Sequence, residues 1–299
     1  KKNKNINIRG LAVDSKKVKK GYIFFAIRGL KQNGETYINE AIRRGAIVIV
    51  CSKKCKFFKK NTIVIKTSNT RYLLSEISSK FYKLKPKNII AVTGTNGKTS
   101  VADLFYQFLT LNKIPVASIG TLGIKFKNKI INSELTSPDT INLHKELEKL
   151  KKKKIDNVII EASSHGLHQK RIEHLNLIGG IFTNFSQDHL DYHKTMKTYL
   201  KSKLHLFESI LGKKKAVISD SSIKEFKTLK KICEKRSLKL IDINQKKKLL
   251  EKNISLKLNN FKSKNILMAA AAAKLCSPKK ISIFDNLKKS AIYSGSIQG

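Results

Sequence analysis

The chain has 299 residues, enough for one large domain or two of ordinary size, and 40% of them are hydrophobic, which is enough for a proper core. No run of about 18 apolar residues occurs, so no membrane-spanning helix is expected, and the basic start Lys1–Ile8 has no apolar stretch behind it to make a signal peptide. The net charge of +41 comes from lysine spread along the whole chain, with only 7 arginines among 62 basic residues; no arginine-rich or aromatic-interleaved basic motif appears, which argues against specific nucleic-acid binding.

Residues 8–82 read as one α/β unit. Ile23–Ile27, Ala46–Val50 and Ile63–Ile65 have the apolar, β-branched character of buried strands, Tyr37–Arg44 reads as a helix, and Arg71–Tyr82 carries helical spacing. Cys51 and Cys55, with Cys233 and Cys276 further on, match neither zinc-site nor redox-pair spacing, so free thiols in a reducing cytoplasm are expected. Lys83-Leu-Lys-Pro-Lys87 is polar and proline-bearing, the best linker, and divides the chain into domains of residues 1–85 and 86–299.

From Asn88 onward strands and helices alternate. Strands are expected at Ile89–Thr93, Val116–Ile119, Val158–Glu161, Gly180–Thr183 and Ala216–Ser219. Helices are expected at Lys98–Asn112, Thr140–Lys151, Met196–Leu211, Ile223–Arg236 and Ser263–Leu275. The fold class is therefore α/β: a small N-terminal α/β domain, then a P-loop-type central domain whose mostly parallel sheet is flanked by helices.

Three stretches carry chemistry. Asn88-Ile-Ile-Ala-Val-Thr-Gly-Thr-Asn-Gly-Lys-Thr-Ser100 joins a strand to a helix start through a glycine-bearing turn. Such a turn aims backbone N–H groups at phosphate oxygens, Lys98 adds a full charge, and the Thr99 hydroxyl can ligate magnesium. Val92 stands where the usual phosphate-loop pattern has its first glycine, so the hexapeptide Gly94–Thr99 also fits a plain turn before a helix. Glu161 ends a strand and is followed by the polar run Ala162–Arg171; a carboxylate there suits a metal or caps a helix. Phe182–His193 packs Asp188, His189, Asp191 and His193 into six residues, a density that suits magnesium or proton transfer, and also helix capping.

Together these stretches, with Val13–Gly29 and Leu135-Thr-Ser-Pro-Asp139, resemble the Mur ligase family, the ATP-dependent amide-forming enzymes of peptidoglycan synthesis. The resemblance runs over nearly the whole chain. It is greatest to the members that add the third residue to UDP-MurNAc-L-Ala-D-Glu, a diamino acid such as meso-diaminopimelate or L-lysine; the dipeptide-adding members come next. In this family a valine at position 92 is ordinary.

The resemblance implies the following roles. Val13, Ser15, Leu30, Lys31 and Gln32 line the uridine-nucleotide pocket. Gly94, Thr95, Asn96, Gly97, Lys98, Thr99 and Ser100 form the ATP phosphate loop, and Asn265 serves the adenine. Thr136, Ser137, Ser163, Gln169 and Arg171 hold the muramoyl dipeptide. Thr99, Glu161 and His189 are the magnesium ligands, and Lys203 is carbamylated. Lys98, Glu161, His189 and Lys203 make up the catalytic set, ATP and Mg2+ are required, and a cytoplasmic monomer is expected. Two departures stand out: Lys262 replaces an asparagine in Asn259–Asn265, and Ser296 replaces an arginine in Ser294–Gln298. The family's C-terminal domain, which closes over ATP, should begin about where the chain stops. Either a fragment of a complete ligase or a decayed, non-catalytic copy is expected.

Overall fold

The computed structural model describes residues 7–29, 32–59, 62–127, 129–131, 138–244 and 260–277. The chain divides into two compact units, Lys1–Tyr82 and Lys83–Gly299.

The first unit holds strands β1 (Gly10–Ala12), β2 (Tyr22–Phe25), β3 (Ala46–Ser52) and β4 (Ile63–Thr67), with helices α1 (Ile38–Arg43) and α2 (Thr70–Phe81). The four strands pair in parallel in the order β1-β2-β3-β4. β3 is buried along almost its whole length, and Ile49 and Cys51 pack with Phe24, Ile38 and Ala41. β4 forms an edge and leaves Ile63 and Ile65 exposed.

The second unit is built on an eight-stranded sheet. Its strands are β5 (Asn88–Thr93), β6 (Val116–Gly120), β7 (Gly123–Phe126), β8 (Lys129–Ile131), β9 (Asn157–Glu161), β10 (Leu177–Phe182), β11 (Ala216–Ser219) and β12 (Lys239–Asp242). They lie in the order β12-β11-β10-β5-β9-β6-β7-β8; all neighbours are parallel except the β6-β7-β8 meander. The helices are α3 (Lys98–Leu111), α4 (Thr140–Lys152), α5 (Ser164–His168), α6 (Leu190–His193), α7 (Met196–His205), α8 (Phe226–Arg236) and α9 (Asn260–Cys276).

Alternation along the central strands feeds two cores. Ile90, Val92, Ile159 and Ile181 face α3 and α9, while Ile89, Ala91, Val158 and Ile160 face the α4 side with Leu143 and Leu147. A sheet covered on both faces needs such continuous apolar strands. The alanine run Ala269–Ala273 of α9 is buried in the first of these cores together with Val101 and Phe105 of α3, small side chains allowing close helix approach.

After β5 the chain proceeds to β6 and β9 on one side, then returns to β10 on the other. The carboxyl ends of β5, β9 and β10 therefore flank a topological switch point, where open α/β sheets bind ligands.

The expected strands and helices of both units are present, with shifted ends. β10 starts at Leu177, three residues before the expected strand, because Gly179 and Gly180 dilute its apolar pattern. A Cβ at Gly180 would sit 2.9 Å from the Phe207 ring, so the glycine admits that side chain to the sheet. The helix expected over 196–211 is α-helical only to His205 and continues as a π turn, Leu206–Ile210. β1, β12, α5, α6 and the β7-β8 hairpin lie outside the expected elements. Among the described residues no helix is long and apolar enough to cross a membrane.

Candidate active site

β5 ends at Thr93 and α3 begins at Lys98; the four residues between make the phosphate loop. Gly94 (φ +148°) and Gly97 (φ +84°) are both in the region that favours glycine. A Cβ on Gly94 would lie 1.9 Å from Thr183 Oγ1, so the turn also needs the missing side chain. Gly97 is the N-cap of α3 and contributes no side-chain bond, leaving the first N–H groups of a fourteen-residue helix to an anion. The loop is braced from β10's end: Asn96 N–H donates to Asn184 Oδ1 (2.9 Å) and Thr183 Oγ1 donates to the Asn96 carbonyl (2.6 Å).

Lys98 Nζ folds back over the loop and donates to the carbonyls of Gly94 (3.1 Å) and Thr95 (2.7 Å). Burial lowers its pKa, while the Glu161 and Asp188 charges act against that shift. Lys203, on α7, reaches the same place: its Nζ donates to the Gly94 carbonyl (2.6 Å) and lies 4.4 Å from the centre of the Tyr199 ring. Its side chain is only 1% exposed, and burial, helped by the Lys98 charge, pushes its pKa down to about 7. Two lysines thus share one carbonyl, and the more buried one is poised to be neutral.

Glu161, at the end of β9, is buried and accepts hydrogen bonds from Thr99 Oγ1 (2.8 Å), Thr121 N–H (3.0 Å) and Thr121 Oγ1 (3.2 Å). Gly120 makes room for it, since a Cβ there would fall 1.9 Å from Glu161 Oε1. His189 stands in the left-handed region (φ +52°), 3.4 Å from Asp188. That backbone conformation is uncommon for a residue with a Cβ and clusters at functional positions.

A cavity of about 260 Å3 gathers these groups: Thr95, Asn96, Gly97, Lys98, Thr99, Ser100, Thr121, Ser163, Ser164, His189 and Lys203 line it. The structure therefore brings the phosphate loop, Lys98, His189, Lys203 and Ser163 together, with Glu161 bonded to two of the lining threonines. Ser163 caps α5 by accepting from Gly166 N–H (3.0 Å). A second cavity of about 240 Å3 adjoins the loop at Asn96, with Asn184, Ile223, Asn265 and Met268 on its walls. Asn265 is 5% exposed, and its Oδ1 lies 2.8 Å from where a Gly97 Cβ would stand.

Gln169 and Arg171 stand outside the lining of both cavities. Arg171 donates to Gln169 Oε1 (2.9 Å), and Gln169 Nε2 donates to the Tyr192 hydroxyl (3.2 Å). In the first unit, Ser15 is buried and donates to Glu40 Oε2 (2.8 Å), Val13 is 37% exposed, and Gln32 is exposed with its carbonyl accepting from Gly29 N–H (2.8 Å). Leu30, Lys31, Thr136, Ser137 and Ser296 lie outside the described residues.

The dense run Asp188–His193 does not act as one cluster. His193 is buried against Tyr199 and has its pKa lowered to about 4 by burial and by neighbouring His165 and His168, whereas His189 alone lines the cavity. Among the described residues no three His, Cys, Asp or Glu side chains converge as a ready metal cage. A hydroxyl, a carboxylate and an imidazole from Thr99, Glu161 and His189 nonetheless suit magnesium, which keeps water and phosphate oxygens as further ligands. No local motif marks Thr121. Its signal is positional: it follows β6 at the same sheet edge at which Glu161 ends β9.

Residues 92–286 match the Mur ligase middle domain, and residues 7–82 match the Mur ligase family, catalytic domain. A UDP-N-acetylmuramoyl-L-alanyl-D-glutamate--2,6-diaminopimelate ligase of Zymomonas mobilis is 41% identical over 245 residues, covering 82% of this chain and 50% of the relative. The protein of the same name in Brucella melitensis is 36% identical over 208 residues, covering 70% and 43%. The chain spans about half the length of the curated relatives it matches. A solved diaminopimelate ligase of that same name shares the fold, with a TM-score of 0.78 at 21% identity over 94% of this chain and 62% of the other. A Mycobacterium tuberculosis folylpolyglutamate synthase complexed with ADP and AMPPCP shares it more distantly, with a TM-score of 0.52 at 14% identity, covering 71% and 60%. With both units matched, and with a loop, a strand-end carboxylate and a buried lysine meeting at one switch point, the chain belongs to the Mur ligase family.

Proposed function

We propose that the chain forms the uridine-nucleotide and ATP-binding parts of a ligase that joins meso-diaminopimelate to UDP-MurNAc-L-Ala-D-Glu in peptidoglycan synthesis. The observation that carries this reading is the single cavity in which Lys98, Thr99, His189, Lys203 and Ser163 meet beside Glu161. The names of relatives at 36% and 41% identity support the substrate assignment.

In the proposed reaction the D-Glu side-chain carboxylate attacks the γ-phosphorus of ATP, ADP leaves, and an acyl phosphate forms. The diamino acid's amine then attacks the acyl carbon and expels phosphate, leaving an amide. Little covalent chemistry falls to the protein, so its work is positioning and charge stabilisation. The α3 N-terminus and loop N–H groups cradle the phosphates, and Lys98 leaves its two carbonyl partners to meet them. The slot beside Asn265 suits the adenine. Thr99, Glu161 and His189 would hold magnesium, whose charge offsets that of the phosphates when bound. Ser163, Gln169 and Arg171 hold the dipeptide, with Thr136 and Ser137, and the first unit's Val13, Ser15, Leu30, Lys31 and Gln32 hold the uridine nucleotide. A carbamate on Lys203 would convert a buried cation into an anion beside Lys98 and so remove the like-charge opposition.

Calorimetric titration with UDP-MurNAc-L-Ala-D-Glu, with UDP-glucose as control and at moderate salt, tests the reading. Selective binding of the muramoyl dipeptide is expected; equal binding of the two sugars would overturn the substrate assignment.

A further inference from the structure

The chain leaves α5 through a turn that glycine would ordinarily occupy. Lys170 takes a left-handed backbone (φ +61°), with Lys170 N–H donating to the Leu167 carbonyl (3.1 Å) and Arg171 N–H to the Gly166 carbonyl (2.9 Å). Such a turn commonly closes a helix, but for a residue with a Cβ the conformation costs about 1 kcal/mol or more. Lys113 and Lys154 take the same conformation just after α3 and α4; here the turn is flanked by Gln169 and Arg171.

Two residues on, Glu173 is 6% exposed. A buried carboxylate is rare unless it is paired. Its Oε1 accepts from Lys170 Nζ (3.0 Å) and lies 2.5 Å from His205 Nε2, which donates to it in the tautomer that carries the Nε2 proton; Lys170 Nζ, 2.7 Å from the same nitrogen, is then held by Glu173 alone. Burial pushes the Glu173 carboxyl up, but the His205 and Lys170 contacts outweigh it and hold the pKa below the ordinary glutamate value. His205 is the last residue of α7, two beyond Lys203, where the helix changes to the π turn. Glu173 is thus bonded at once to the strained turn and to the helix that carries Lys203.

The other end of the turn is also specified. Arg171 Nε and Nη2 both donate to Gln169 Oε1 (3.3 and 2.9 Å), and Gln169 is held by Tyr192, whose hydroxyl also lies 3.0 Å from His168 Nδ1. The direction of the Arg171 guanidinium therefore follows from where the turn is anchored.

We propose that Glu173, with Lys170 and His205, is a positioning strut that fixes the Gln169–Arg171 turn against the Lys203 helix and so aims Arg171 at the carboxylate of the muramoyl dipeptide. The last clause rests on the function proposed above; the strut itself does not. Two readouts separate them. Hydrogen exchange needs no ligand: in Glu173→Gln the amides of Lys170 and Arg171 exchange faster by about tenfold or more, while β5 amides keep their protection. Calorimetry reads the aim: Glu173→Gln and Lys170→Met each weaken UDP-MurNAc-L-Ala-D-Glu binding by about tenfold or more, with affinity for a non-hydrolysable ATP analogue held within about twofold. The double variant Glu173→Gln/His205→Gln binds the dipeptide like Glu173→Gln alone, because one strut is broken only once. Unchanged exchange at Lys170 and Arg171 would overturn the strut. Altered exchange with equal losses for both ligands, or none, would overturn its role in aiming Arg171. Altered exchange in Glu173→Gln, together with a wild-type chain that does not bind the dipeptide, supports the strut and overturns the function assignment.

Discussion

Exposing the chain to labelled carbon dioxide while raising the pH is expected to load a carbamate on Lys203. The neutral amine is the nucleophile: its lone pair attacks the carbon of CO2, the N–C bond forms, and the nitrogen releases a proton to solvent. The neutral fraction sets the yield. With a pKa lowered to about 7, against 10.5 for an ordinary lysine, about three quarters of Lys203 is neutral at pH ~7.5, where about one solvent lysine in a thousand is. That is a preference of several hundredfold over an ordinary exposed lysine, and Lys85 and Lys98, whose pKa values burial also lowers, are the lysines that compete with it. The causes are burial first and the charge of Lys98 second, both ammoniums bonding the Gly94 carbonyl. Carbon-13 NMR at fixed dissolved CO2 should show a carbamate resonance that rises with pH well below the range of an ordinary lysine and is absent in Lys203→Met. Lys98→Met, by removing the second cause, should move that rise to higher pH. A carbamate spectrum that is the same in Lys203→Met, or a Lys203 resonance that rises only in the range of ordinary lysines, would show that this amine is not the reactive one.

His144, on α4, is wholly buried with neither ring nitrogen hydrogen-bonded, and burial, with the Lys85 and His174 charges, lowers its pKa from 6.5 to about 3. The unfolded chain therefore takes up this proton first as pH falls through 6.5, and stability is lost between there and about 3. The loss at pH ~4.5 is about 2.5 kcal/mol, so urea midpoints should fall less on acidification in His144→Leu; equal falls in both chains would refute the assignment. Gly120→Ala places a Cβ 1.9 Å from Glu161 Oε1. It should displace that carboxylate and remove the magnesium-dependent part of ATP-analogue affinity, by about tenfold or more, without unfolding the sheet; an unchanged magnesium dependence counts against Glu161 as a ligand. Lys98→Ala should weaken the ATP analogue by about ten- to a hundredfold, the scale of a lost bond to a charged group, and leave muramoyl-dipeptide binding intact; normal nucleotide affinity would remove Lys98 from the site.

What was legible in the sequence follows from how local its physics is. β5, β9 and β11 announce themselves because a strand buried on both faces must be a continuous apolar run, and the phosphate loop because its parts are contiguous. β7 and β8 lie at the sheet's margin, where Lys125 and Lys129 break the apolar run and Ile130 and Ile131 face solvent, so no pattern marks them. α5 has five residues, too few for a helical period. Phe207, in the π turn after His205, packs where Gly180 leaves space for it, a contact between distant segments that no local pattern encodes.

The same distinction runs through the candidate site. Lys203 and the Lys213–Lys215 run are the same residue type to a sequence reader; only its place on the inward face of α7, against Tyr199 and the Gly94 carbonyl, gives one of them a pKa of about 7. Thr121 is invisible for the complementary reason. It lies 40 residues from Glu161, and the two meet because β6 and β9 are neighbours in the sheet although α4 intervenes in the chain. Glu173 and His205 are likewise ordinary alone and informative as a part-buried pair 32 residues apart. In each case the chemistry belongs to sheet order and burial, which rest on the whole fold; a motif can name the loop that meets a phosphate, but the groups that set charge and aim around it come from neighbouring strands and helices.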